Sequence, residues 1–234
     1  MKKVTALALC MWVSTTIISF MSCDNDTDDI DYNYVRPTAI VTVKPNLDNS
    51  SFYLQLNDSI TLTPSNMKTS PFGKKEVRAF INYTVAANET SAHQGQPITI
   101  NWMDSILTKQ SAKNYGEKND SAYGTDPVEI VKGWETGAED GYLTLRFRTK
   151  WGYSRAHAVN LVHRTDANEP YLLEFYQDAN GDVNGNWGDG IVAFYIDSLF
   201  QTDGKPIEIT LRWKSYTGEK TTTFKYKSRK PVTE

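Results

Sequence analysis

A chain of 234 residues with 39% hydrophobic content can bury a sizeable core and has room for one large or two small domains. Its formal net charge of -3 gives no broad basic footprint, which excludes a general nucleic-acid binder. The charge is unevenly spread: acids crowd the stretch after Cys23, whereas Lys205, Arg212, Lys214, Lys220, Lys225, Lys227, Arg229 and Lys230 make the C-terminal segment basic, a pattern that reads as a solvated strand face.

Lys2 and Lys3 form a positive start, and residues 4–21 are apolar apart from Thr and Ser, the pattern of a secretory signal. A span of that length could just cross a bilayer, but it ends at Ser22-Cys23 and is followed at once by Asp24, Asp26, Asp28 and Asp29. A small residue before a cysteine at this place resembles a bacterial lipobox, in which the cysteine thiol is acylated and becomes the first residue; Phe20 and Met21 depart from the tighter pattern. Cys10 lies inside the signal, so Cys23 is expected as the sole thiol of the mature chain, with no disulfide within it. Acyl chains contribute about 0.8 kcal/mol per buried CH2, and several on one residue anchor firmly. The acidic run resembles the export signal of surface lipoproteins in Bacteroides-like bacteria, and its like charges also suit a flexible tether. Residues 1–22 are therefore expected as a lipoprotein signal peptide and 23–33 as an acidic tether. The protein would then be lipid-anchored in the outer membrane through Cys23 and displayed on the cell surface.

The remaining chain predicts an all-β protein, with an OB-like β-barrel domain over 34–113. Val41 and Val43 alternate with Thr42 and Lys44 until Pro45, and Phe52, Leu54 and Leu56 lead across Asn57-Asp58-Ser59 to Ile60 and Leu62 as a hairpin. Val77, Ala79, Ile81, Tyr83 and Val85 form a long alternating strand, and Ile98, Ile100 and Trp102 share one parity in the next. Five short strands without a helical period suggest a small barrel. The stacking aromatics and basic groove of a single-strand binder are not evident. Residues 114–127, dominated by polar and turn residues, read as a linker. Residues 128–234 predict a β-sandwich of about seven strands, at 128–132, 142–149, 155–163, 171–177, 191–196, 207–213 and 222–226. The second and third meet across Trp151-Gly152-Tyr153 and read as a hairpin.

Over nearly all of the mature chain this pattern resembles the NigD-like lipoproteins. The resemblance rests on the lipobox, the OB-like first domain, and a sandwich carrying Tyr142-Leu143-Thr144-Leu145 and His157-Ala158-Val159-Asn160-Leu161-Val162. The family has no established biochemical activity, although its name associates it with bacteriocin gene clusters.

Chemical candidates are few. Asp178, Asn180, Asp182 and Asn184 alternate as in an EF-type calcium loop, with Asp189 at the twelfth position. Val183 replaces the turn glycine, however, Asp189 is shorter than the usual Glu, and strands flank the segment where helices should. An Asn/Asp/Gly-rich hairpin loop explains the same letters, and no metal or cofactor is expected. Gly152-Tyr153-Ser154-Arg155-Ala156 lacks the last glycine and the setting of a nucleophile elbow. His93, His157 and His163 have no ligand spacing, and His157 reads as a core histidine bonded to backbone. With no assembled acid, base and nucleophile, no enzyme is expected. Trp151, Tyr153 and Trp187 are candidate contacts for a glycan or protein ligand, weighed against a role capping the sandwich. Ser59, Ser105, Ser121 and Ser198 each stand in an Asp-Ser-aliphatic triplet that resembles the O-glycosylation acceptor of exported Bacteroides-like proteins. The function expected is a non-enzymatic surface lipoprotein that binds a partner; the alternative is a bacteriocin-immunity lipoprotein.

Overall fold

The computed structural model describes residues 34–35, 37–86 and 94–229, so Cys23, Asp24, Asp26, Asp28, Asp29 and His93 lie outside the described residues. Among the described residues no helix is long and apolar enough to cross a membrane.

The first half is a barrel. β1 (Tyr34–Val35) borders β2 (Thr38–Pro45), β3 (Phe52–Gln55), β4 (Thr61–Pro64), β5 (Val77–Ala86) and β6 (Gln96–Ser105) by pairing with β5. β2 pairs with β3 and β3 with β4; β4 runs parallel to β6, β6 pairs with β5, and β5 returns to β2. The five-strand ring closes, so its backbone ladder has partners on both sides. Alternation fills the interior: Val41, Val43, Leu54, Leu62, Ala79 and Ile81 are fully buried, with Ile98 beside them. The hairpin expected at residues 57–59 is present, with Leu54 opposite Leu62.

One irregularity redirects a side chain. The β5–β6 register slips between Asn82 and Tyr83, so that Tyr83 faces Ile100 while Asn82 faces Trp102 and Asn101 is the extra residue. Parity reverses there: Ile98 and Ile100 are buried, Trp102 is 42% exposed, and Met103 packs inward. The expectation that Trp102 shares a face with Ile98 and Ile100 is therefore corrected by a β-bulge.

The second half comprises β7 (Leu107–Gln110), β8 (Glu129–Ile130), β9 (Gly137–Glu139), β10 (Tyr142–Trp151), β11 (Ala158–His163), β12 (Leu172–Asp178), β13 (Asn186–Tyr195), β14 (Ile207–Ser215) and β15 (Gly218–Tyr226). One sheet runs β7-β13-β10-β8, with β9 also on β10; the other runs β11-β12-β14-β15. Leu143, Leu145 and Phe147 of the first sheet meet Val159, Leu161, Phe175, Ile209 and Leu211 of the second in a shared core. β10 and β11 are thus not a hairpin. Side by side they would put both apolar sets on one face of one sheet, whereas crossing between sheets lets the sets bury each other.

β7 follows β6 after Ile106 alone and pairs in parallel with β13, so Leu107–Gln110 is hydrogen-bonded in the sandwich. The polar stretch 114–127 holds a 3-10 turn (Gly116–Lys118) and a short helix, α1 (Asn119–Tyr123), where only a linker was expected. Buried Asn119 accepts from the Tyr115 amide at 2.7 Å and donates to Asn114 Oδ1 at 3.0 Å, and Tyr123 stacks on Tyr115 and tilts against Tyr176. β13 begins five residues before the expected 191, so Trp187 stands on a strand and not in a loop. The inward positions of that extension are Gly188 and Gly190, which carry no apolar signal. A Cβ on Gly190 would stand 2.5 Å from the Phe147 ring, and one on Gly188 2.6 Å from Trp151.

Barrel and sandwich meet through their outer faces. Ile40, Ile106, Tyr142 and Ala193 are buried together, with Phe80, Ile191 and Tyr195 against them. An ionic clamp borders this seam. Arg229 donates from Nη2 to Glu76 Oε1 at 2.7 Å and from Nε to the Asp140 carbonyl at 2.9 Å, while Lys44 Nζ reaches Asp140 Oδ1 at 2.7 Å. Part of the basic C-terminal segment is neutralised in this way: Lys220 pairs with Glu129, and Arg212 with Glu169 and Glu174.

Candidate functional site

Two half-exposed tryptophans converge on the seam. The bulge turns Trp102 outward from β6. The loop between β8 and β9 brings Trp134 from the sandwich side, held by a turn from the Thr136 amide to the Gly133 carbonyl at 3.2 Å. Phe80, on the outward face of β5, lies between them, with ring centroids 5.8 Å from Trp102 and 5.4 Å from Trp134 and interplanar angles of 22° and 25°. Trp134 is 59% exposed. The result is a strip built as an offset stack of three rings, Phe80 inside and the two indoles outside, that crosses from barrel to sandwich. Beside Trp134 opens a cavity of about 260 Å3, with Ile40, Arg78, Glu139 and Thr144 among its lining residues.

The expected aromatics at the sandwich end separate. Trp151 is half-buried against the core, its ring stacked on His157 with centroids 4.2 Å apart. Tyr153 is 85% exposed, at φ 59 in the turn. Trp187 is exposed, edge-on to Tyr216 and under the Lys150 ammonium. Around His157 a polar cluster locks the turn from β10 to β11. Asp182 accepts from the Gly152 amide at 2.8 Å and from the Ser154 hydroxyl at 2.5 Å, and lies 3.3 Å from His157 Nε2. Gln177 Nε2 stands 2.9 Å from His157 Nδ1. The partners of His157 are thus side chains, not the backbone groups expected. Ser154 is bonded to the carboxylate, not to the imidazole, so the three residues do not form a nucleophile–base–orienter relay. The Ser154 hydroxyl, with the Gly152 amide, holds the Asp182 carboxyl down to about 2.

Two domain families cover most of the described chain: residues 40–106 match the NigD-like N-terminal OB domain and residues 110–226 the NigD-like C-terminal beta sandwich domain. The chain belongs to the NigD-like family. Among solved structures, a Parabacteroides distasonis protein that bears the name toxin related protein is 36% identical, with a TM-score of 0.70 over 83% of this chain and 94% of its own. A NigD-like immunity protein from Bacteroides caccae is 21% identical, with a TM-score of 0.58 over 80% of this chain and 90% of its own. A Bacteroides fragilis protein named as a lipoprotein is 15% identical, with a TM-score of 0.56 over 84% of this chain and all of its own. The last two show a shared fold. No curated protein matches the chain. The NigD-like family has no known enzymatic activity.

In this NigD-like chain the calcium-like loop turns its oxygens to separate partners. Asp178 Oδ1 accepts from the Asn180 amide at 2.7 Å, Asn180 Nδ2 donates to the Ala156 carbonyl at 2.6 Å, and Asp182 faces the turn. Asp189 stands on β13 between Arg146 and Arg148, whose hydrogen bonds hold its carboxyl down to about 2. No group of three or more metal-ligating side chains occurs among the described residues. Ser59, Ser105, Ser121 and Ser198 are all exposed.

Sequence reasoning missed Trp134 and misplaced Trp102. The first sits in Lys132-Gly133-Trp134-Glu135-Thr136-Gly137, where a tryptophan between turn residues was the available signal. The second depends on a bulge that no residue type announces.

Proposed function

We propose that this NigD-like protein is a lipid-anchored, non-catalytic binding module of the outer membrane, displayed on the cell surface, that captures a glycan on the Trp102–Phe80–Trp134 strip. The carrying observation is that two tryptophans from different halves of the chain are half-exposed and each stacks on Phe80 at one seam. The exposed indole surfaces at either end of such a stack suit the C–H faces of sugar rings, and the polar groups of the adjoining cavity suit hydroxyls. The anchor is Cys23, and the acidic run from Asp24 to Asp29 is the surface address; the Bacteroides fragilis neighbour named as a lipoprotein supports this reading. Tyr153 and Trp187 are each exposed at the sandwich end, with no ring contact between them among the described residues.

Affinity electrophoresis of the full chain in detergent against neutral and acidic polysaccharides tests the reading. Trp102→Ala and Trp134→Ala should each weaken retardation about tenfold, the loss of one stacking contact, with the fold unchanged. Retardation that survives both substitutions would refute the strip as the site. Protease digestion of the protein on intact cells tests display, and protection until lysis would place it in the periplasm.

The alternative, protection against a bacteriocin, draws on the Bacteroides caccae neighbour named an immunity protein. It requires a toxin gene beside this one and a strain killed when this protein is deleted.

The four exposed serines add a modification reading. Intact-mass analysis of the native protein should show the acyl increment on Cys23 plus glycan on one or more of Ser59, Ser105, Ser121 and Ser198; an acyl increment alone contradicts glycosylation.

A further inference from the structure

Arg78, on the outward face of β5, is 2% exposed and lies in the seam wall with its guanidinium over the Tyr142 ring. Nη1 donates to Thr42 Oγ1 at 3.0 Å, Nε has no partner, and Nη2 has no hydrogen bond among the described residues. Thr144, also 2% exposed, comes from β10 on the sandwich side, and its Oγ1 has no partner either. Both side chains line the cavity of about 260 Å3 beside Trp134.

A native interior leaves few such groups, because each unsatisfied buried polar atom costs about 1–3 kcal/mol and a charged one more. Two of them, with almost no accessible surface, belong to residues that line one cavity, come from different halves of the chain and are bordered by an exposed ring, so a ligand oxygen pressed to hydrogen-bond distance there would complete them. The chemistry of that ligand follows from the edge left free. Nε and Nη2 of a guanidinium present parallel N–H donors spaced for the two oxygens of a carboxylate. The cavity is near the small end of ligand pockets and admits one ring rather than a chain. A longer ligand would continue outward over Trp134, Phe80 and Trp102.

We propose that this cavity takes the carboxylate-bearing residue of an acidic saccharide, with the carboxylate on the free edge of Arg78, a hydroxyl on Thr144 Oγ1 and the sugar face against Trp134. This rests on the glycan reading above and narrows it to sugar acids. Glu139, on the same wall, opposes a second carboxylate. Its removal should therefore favour an acidic ligand and leave a neutral one unaffected.

The test is calorimetric titration of the full chain in detergent with oligogalacturonate, with its carboxyl-reduced neutral counterpart, and with sialyllactose against lactose. The two acidic probes distinguish uronic from sialic sources. Expected is at least tenfold tighter binding of one acidic probe than of its neutral partner, which is about 1.4 kcal/mol. Arg78→Lys, which keeps the charge but not the fork, should reduce that preference to a few-fold. Thr144→Val should weaken both members of the pair, and Glu139→Gln should tighten the acidic one alone. Equal binding of acidic and neutral probes, abolished by Trp134→Ala, would overturn the carboxylate assignment and leave the glycan reading standing. No binding of any probe by folded protein would overturn both. Displacement of a bound saccharide by a peptide through its free C-terminal carboxylate, with the peptide binding more tightly, would overturn the sugar class.

Discussion

Asp182 shows how much of the sandwich end depends on one carboxylate. It is 4% exposed, takes three hydrogen bonds from the turn and faces His157, so its charge organises the crossing from β10 to β11. Its carboxyl and that of Asp189 are both held at about 2, below the ordinary value of 3.8, by the Ser154 hydroxyl in one case and Arg148 with Arg146 in the other. A folded pKa below the unfolded one stabilises above the unfolded value, and that contribution is lost as pH falls through the folded value. The unfolding temperature should therefore show no loss from these two groups between pH 7 and 5 and should fall between about pH 4 and 2. Asp182→Asn should be less stable at neutral pH and have a shallower acid limb, because Asp189 is exposed and its ion pairs contribute less. An acid limb parallel to that of the unsubstituted protein would contradict this role. The letters between Asp178 and Asn186 were legible as a turn, but the partner of Asp182 was not. Gly152 and Ser154 lie some thirty residues earlier, and only the packing of the sheets brings them near.

At the scale of elements, most strands were legible because alternation and turn residues agree. Ile207 and Ile209, in the strand expected at 207–213, pair with Tyr226 and Phe224 across a tight turn. Three features were not legible, each for a physical reason. The pairing of β10 and β11 with other strands follows from long-range burial, which adjacency in the chain does not encode. The extension of β13 back to Asn186 is hidden by Gly188 and Gly190, which leave room for Trp151 and Phe147 instead of adding apolar side chains. The β5–β6 bulge carries no compositional mark, yet it decides which way Trp102 points. The strip therefore depends on an irregularity of one element and a loop of another, and neither half of the chain could form it alone.

For the whole molecule, the seam ties barrel to sandwich with apolar contact and charge together. Glu76 and Asp140 both depend on Arg229, and Tyr142 donates to Glu76 Oε1 at 2.8 Å. Arg229→Ala would leave two carboxylates near each other with fewer partners, at a cost of about 2–3 kcal/mol. Calorimetry should show a single unfolding transition for the unsubstituted protein, shifted down in the variant; two transitions before any substitution would mean that the seam does not couple the halves. The general architecture, barrel then sandwich, was readable from strand spacing, and the domain matches agree with it. The seam was not, since it is made of outward-facing residues such as Ile40, Phe80 and Arg78 that a single strand presents as ordinary surface.

Recognition at this seam would be read in the indole N–H resonances of the tryptophans. On titration of labelled protein with the saccharide that binds most tightly, the Trp102 and Trp134 signals should shift while those of Trp151, Trp187 and Trp213 stay in place. Shifts confined to Trp187, or none at saturating saccharide, would contradict it.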